Sequence, residues 1–255
     1  MEQDRRRFLK GLGVLSAAGS IPGSLVSGGT STEATTNVAA SEPPPQAFTY
    51  FTPREVAFVE AALARLIPAD ELGPGAKEAG VGVFIDRQLA GAFGTMARNY
   101  RLGPWREGTP QQGWQARLTP REIYRVAIEE TDRHCEARYG KRFAELSASG
   151  QDEVLHGLDE GTLALTSVRA PLFFALLWEN TQEGFFADPI HGGNRDKVGW
   201  KLVGFPGVAA VYTDQIEKYG SPYRPEPVSI ADLQHKRVRV DAHGHPLHVM
   251  PGGRD

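Results

Sequence analysis

The sequence predicts a mainly α-helical protein: a small irregular helical domain with long Gly/Pro-rich loops and an extended or hairpin C-terminal tail. Three observations carry this. The tetrapeptide Thr-Pro-Arg-Glu occurs twice, at Thr52 and Thr119, and each copy opens a run with apolar residues at helical spacing. Threonine before the helix, proline at its first position and glutamate at its third satisfy the free amides that every helix start leaves over. No strand–helix alternation of the doubly wound kind is present. Finally, 29 Gly and 18 Pro among 255 residues point to long ordered connections.

The elements follow in order. At the N-terminus, Arg5 and Arg6, then Phe8, Leu9 and Lys10, resemble the twin-arginine export consensus, and a short glycine-rich apolar run follows from Gly11 to Ile21. That run falls well short of the roughly 20 residues that span a bilayer. Val38-Ala39-Ala40 offers small residues for signal peptidase, so residues 1–40 read as signal and linker, with the periplasm as destination. Residues 41–50, with "SEPPPQAF", read as a proline-rich spacer. Residues 51–225 form the helical domain and 226–255 the tail.

Within the domain, Thr52 and Glu55 predict a capping box, Val56, Val59, Leu63 and Leu66 share one face, and Pro68 ends the helix. "AKEAGVGVFIDRQLAG" contributes a second helix, and "NYRLGPWREGTPQQGWQARL" reads as a long loop. From Thr119, Tyr124, Ile128, Thr131 and Cys135 form the next stripe, closed by Gly140. Segment 150–160 reads as a short helix capped by Ser149. An apolar helix runs from Pro171 to Phe186. "GVAAVYTDQIEKYG" reads as one more short helix.

Composition excludes several function classes. With 28 basic against 31 acidic side chains and a net charge of −3, nothing marks a nucleic-acid partner. One cysteine permits neither an internal disulfide nor a cysteine-based zinc site. Cys135 continues an apolar stripe and reads as a buried, inert thiol; a crosslink to another chain stays open. "GLGVLSAAG" lies inside the leader and "GPGAKEAG" lacks P-loop spacing, so no dinucleotide cradle is legible. No Gly-x-Ser-x-Gly elbow appears. Glu129/Glu130 and Asp159/Glu160 are adjacent pairs that read as solvated faces. His134 and His156 read as surface or interfacial. His243, His245 and His248, with His235 upstream, leave an alternative open: a self-contained periplasmic metal-binding protein or enzyme. No catalytic, cofactor-binding or metal residue is otherwise assigned.

The stretch "ENTQEGFFADPIHGGNRDKVGWKLVGFPG", Glu179 to Gly207, resembles the signature of the gluconate 2-dehydrogenase subunit 3 family. "YRLGPWREGTPQQGWQARLTPREIYRVAI", Tyr100 to Ile128, is similar to that family as well, and His191 departs from the tyrosine commoner there. The resemblance implies a non-catalytic small subunit that binds, stabilises and co-exports a large FAD-dependent dehydrogenase. The complex would oxidise gluconate to 2-dehydrogluconate, or a related sugar or polyol. FAD would reside in the partner and haem c in a third, cytochrome c subunit; membrane association would come through these partners. The residues that would meet the partner are Trp178, Gly192, Gly193, Asn194, Arg195, Asp196, Trp200, Phe205, Pro206 and Gly207. Aromatics and arginine are the types that anchor interfaces, and glycine permits close backbone approach.

Overall fold

Both Thr-Pro-Arg-Glu sites start helices in a computed structural model, which describes residues 47–106, 108–208, 216–235, 238 and 240. The α-helices among these are α1 (Pro53–Leu66), α2 (Val81–Ala90), α3 (Ala92–Thr95), α4 (Pro120–Tyr139), α5 (Ala148–Glu160), α6 (Ala170–Phe186), α7 (Val198–Val203) and α8 (Ile230–Gln234). The described residues contain no sheet, only isolated bridges such as Gly207 with Val228. The fold is mainly helical, as predicted. The export signal and its linker, the segment 209–215 and the histidines at 243, 245 and 248 lie outside the described residues.

The two caps close alike. Thr52 N donates to Glu55 Oε2 at 2.8 Å while Thr52 Oγ1 accepts from Glu55 N at 3.4 Å. Thr119 and Glu122 repeat these distances. The hydrogen bonds from the Thr119 side chain and backbone hold the Glu122 carboxyl below its usual range.

Around α4 and α6 the core is aromatic. Tyr124 meets Phe173 edge-on at 5.5 Å, and Phe58 lies 4.5 Å from Phe143. Tyr124 donates its buried hydroxyl to Asn180 Oδ1 at 3.1 Å. Burial pushes that hydroxyl well above its ordinary pKa. Tyr124, Ile128, Thr131 and Cys135 are all interior. Burial also pushes the Cys135 thiol up to about 12, so almost no thiolate exists at neutral pH. On α1 the inward face is Phe58, Val59, Ala62, Leu63 and Leu66, with the expected Val56 only half-buried.

Two expectations need correction. The cap of α5 is Ser147, whose Oγ accepts from Gly150 N at 3.3 Å; Ser149 lies inside the first turn. Cap geometry demands extended backbone before the helix, and Ser147 has it, with φ −62° and ψ 160°. Ser147→Ala should therefore lower stability by about 1 kcal/mol in urea unfolding, and Ser149→Ala should leave it nearly unchanged.

Glu130 is likewise no solvated face. It accepts from Thr166 N at 2.6 Å, Ser167 N at 3.2 Å and Ser167 Oγ, fastening the loop before α6 to α4. Partial burial opposes ionisation there, but these hydrogen bonds outweigh it and lower the pKa.

At the start of the tail, Ser229 and Asp232 form a capping box that opens the short helix α8; the run around Asp241–Gly244 read as a hairpin or extended arm lies outside the described residues.

The folded body also starts a little before residue 51. Asp86 on α2 gathers the amides of Thr49, Tyr50 and Phe51, so these residues belong to the helical unit rather than to the spacer. Two side-chain carboxylates complete the polar interior. Glu55 pairs with Arg125, and Asp132 accepts from Arg54 Nε at 2.9 Å and from Phe143 N at 3.1 Å.

Candidate docking site

The apolar helix α6 ends at Phe186, and the chain must then fold back within a few residues. Asp188 begins the return by accepting from Ile190 N at 3.0 Å, which caps a single 3-10 turn, Pro189–His191. Gly192 follows at φ 110°, a conformation that side-chain-bearing residues avoid. Gly193 then lies flat on α6. A Cβ placed there would sit 2.1 Å from the carbonyl oxygen of Gly184, so only glycine permits the approach. Gly199 makes the same kind of contact with the next residue of α6, where a Cβ would stand 2.1 Å from Phe185 O.

Asn194 is the internal tie of this loop. Its side-chain Nδ2 donates to Ala187 O at 2.8 Å, and its Oδ1 accepts from Gly199 N at 2.8 Å. The loop is joined to the start of α2 through Arg195 N, which donates to Ala79 O at 2.9 Å. Asn194, Asp196 and Lys197 all have positive φ, at 48°, 56° and 58°. Left-handed backbone at a residue with a Cβ costs about 1 kcal/mol or more, so the surroundings must hold it in place.

Part of that hold comes from beyond the loop. Lys197 Nζ donates to Asp232 Oδ2 at 2.8 Å, and Ile230 N donates to Asp188 Oδ2 at 2.7 Å. Val208 N and Val228 N close the bridge at 2.8 Å and 3.1 Å. Residues 228–234 thus form a strap across the loop. Asp188, Lys197, Ser229 and Asp232 carry it, and the sequence reading assigned none of them. The Ser-x-x-Asp spacing at Ser229 was the one signal that could have found it.

Burial raises the Asp232 pKa, yet the hydrogen bonds from Lys197 and Ser229 outweigh it and leave the carboxyl below its ordinary 3.8. A lowered folded pKa means a contribution present in full above the unfolded value and lost as pH falls through the folded one. At neutral pH, Asp232→Asn should lower stability by about 2 kcal/mol in urea unfolding. The gap to wild type should close as pH drops below 3.8.

The ten residues assigned from sequence divide by burial. Gly192, Gly193, Asn194 and Trp200 are interior, and Trp178, Pro206 and Gly207 are half-buried. The Trp200 indole donates to Phe186 O at 2.7 Å and meets Phe205 edge-on at 5.2 Å. Arg195, Asp196 and Phe205 face outward, with Phe205 46% exposed beside the exposed Val203. The conspicuous glycines, asparagine and tryptophan therefore build a rigid base, and an arginine, an aspartate and an aromatic stand on its rim.

His134 is half-buried, and His156 is an exposed partner of Glu160 at 2.9 Å. Among the described residues no cluster of His, Cys, Asp and Glu is arranged to hold a metal. Nor, among them, is any helix long and apolar enough to cross a membrane.

No match was found among curated proteins or solved structures. Residues 53–207, from the first capped helix to the last glycine of the loop, match a family profile described as gluconate 2-dehydrogenase subunit 3. This span covers well over half of the chain and contains α1 to α7, the aromatic core and the whole rigid loop. The chain belongs to the gluconate 2-dehydrogenase subunit 3 family.

Proposed function

We propose that this chain is a non-catalytic subunit that binds and stabilises the FAD-dependent dehydrogenase of a gluconate 2-dehydrogenase-like complex. The family implies a dehydrogenase partner. The observation that carries the docking role is the rim of the Asp188–Gly207 loop: Phe205 rests on buried Trp200, with Arg195 outward and Asp196 outward on left-handed backbone. A rigid aromatic anchor loses little freedom when a partner covers it, which favours affinity.

The oxidation itself, gluconate to 2-dehydrogluconate or an analogous sugar or polyol step, is assigned to the flavin subunit. In support of placing FAD there, the described residues contain no strand-to-helix dinucleotide turn, and their core is packed with this chain's own aliphatic and aromatic side chains. No step is therefore derived through this chain. A cytochrome c subunit would take the electrons onward, and the assembly would be membrane-associated through its other subunits. In this reading the twin-arginine leader, Arg5 and Arg6 with Phe8, Leu9 and Lys10, exports both chains to the periplasm.

Co-expression with an FAD-dependent dehydrogenase of the gluconate 2-dehydrogenase type, sought in the neighbouring reading frames, tests the reading. A flavin-containing complex that retains this chain through gel filtration is the expected result. The chain purified alone should show no flavin absorption. Turnover of gluconate with a dye acceptor by the isolated chain would overturn the proposal.

A further inference from the structure

The connection between α3 and α4 differs from the rest of the body in what it shows to solvent. Tyr100 is 88% exposed, Leu102 69% and Trp105 42%. Its outward charges are Arg98, Arg106 and Arg117, and residues 96–119 contain no lysine and a single acid, Glu107. Among the described residues no carboxylate forms an ion pair with these three arginines. Since the whole chain carries −3, this positive charge is local.

The loop is partly assembled already. The Arg101 guanidinium stands 5.4 Å from the centre of the Trp105 ring, and its Nη2 donates to Arg117 O. Beneath, Arg101 Nε and Trp114 Nε1 are shut away from solvent without an acceptor among the described residues. Buried donors are nearly always paired in a finished structure. Here a loop rich in donors is short of acceptors.

We propose that residues 98–106 and 108–117 form a second docking surface, which seats on an acidic, apolar-lined face of the dehydrogenase subunit. The inference rests on the function proposed above and adds a site apart from the Asp188–Gly207 loop. Carboxylates on that face pair with the outward Arg98, Arg106 and Arg117, whose guanidinium forks bind them in pairs. Composition favours protein over lipid. An anionic bilayer attracts lysine as well as arginine, whereas protein interfaces concentrate arginine, tryptophan and tyrosine and are depleted in lysine.

The test is hydroxyl-radical footprinting of the full chain, alone and in the purified complex with the co-expressed flavoprotein. Oxidation of Tyr100, Leu102 and Trp105 should slow at least about fivefold in the complex, since an interface core excludes water. The triple variant R98E/R106E/R117E should bind the flavoprotein about 100-fold more weakly and lose most of its salt dependence. The lysine triple, R98K/R106K/R117K, keeps the charge but not the fork, and should weaken binding about tenfold. All three sites are exposed, so unchanged circular dichroism confirms that the variants fold.

A complex that forms while these residues oxidise at the free rate would overturn this surface and leave the proposed function standing. Protection by phosphatidylglycerol vesicles, with none in the complex, would overturn it in favour of a lipid contact. Failure of the native chain to bind the flavoprotein at all would sink both.

Discussion

Asp86→Ala should destabilise the chain by about 4 kcal/mol, the largest loss expected from any one polar side chain here. Asp86 is 1% exposed and sits on α2. Its Oδ2 accepts from Thr49 N at 2.7 Å and Thr49 Oγ1 at 2.8 Å, and its Oδ1 from Tyr50 N at 2.9 Å and Phe51 N at 2.8 Å. Alanine leaves three consecutive amides without their acceptor as the chain enters the fold. The damage spreads through packing, because Phe51 packs at a tilt against Tyr124 at 5.9 Å and Arg125 lies 4.6 Å from the Tyr50 ring. Asn keeps one accepting oxygen and should recover about half of the loss. Urea unfolding reads the effect directly. A change below about 1 kcal/mol would mean that residues 47–51 find other partners.

Gly193→Ala should cost about 3 kcal/mol, or free the loop outright, because the clash is backbone against backbone. The added Cβ would meet Gly184 O at 2.1 Å and Gly184 C at 2.9 Å, inside α6, where no rotamer change gives relief. Gly184 has no room to retreat either, since its own Cβ position lies 2.8 Å from both Phe84 and Val81 side chains. Gly204→Ala makes a useful contrast. Nothing lies within 4 Å of its Cβ position, so only its φ of 71° resists, at about 1 kcal/mol. Hydrogen exchange at the Gly199 amide, which Asn194 holds, should rise sharply in the first variant and little in the second. Equal effects would show that conformational freedom, not close approach, is why glycine occupies position 193.

The contrast also separates what was legible in the sequence from what was not. Thr52, Thr119 and Gly140 act on neighbours three or four residues away, so their roles follow from local spacing. Ser147 and Ser149 are both plausible caps by type, and only the backbone angles choose between them. Glu130 looked solvated because its partners, Thr166 and Ser167, lie 36 and 37 residues away. Asp86 gave no signal at all, since an aspartate on an amphipathic helix is ordinarily on its wet side. At the candidate docking site the residue types were visible but their division of labour was not. Asn194 and Trp200 read as contact residues by chemistry, yet Asn194 bonds within the loop and Trp200 to the end of α6, and Arg195, Asp196 and Phe205 form the rim.

By itself, then, the sequence determined the helical class, the capped starts of α1 and α4, the stop at Gly140 and the family, because each depends on short-range hydrogen bonding or on an ordered string of residue types. The tertiary structure decided which polar groups are buried and which side of the glycine-rich loop faces out. Burial and close approach arise between segments far apart along the chain. No local pattern reports that Gly193 rests on Gly184, or that Asp232 reaches back to Lys197.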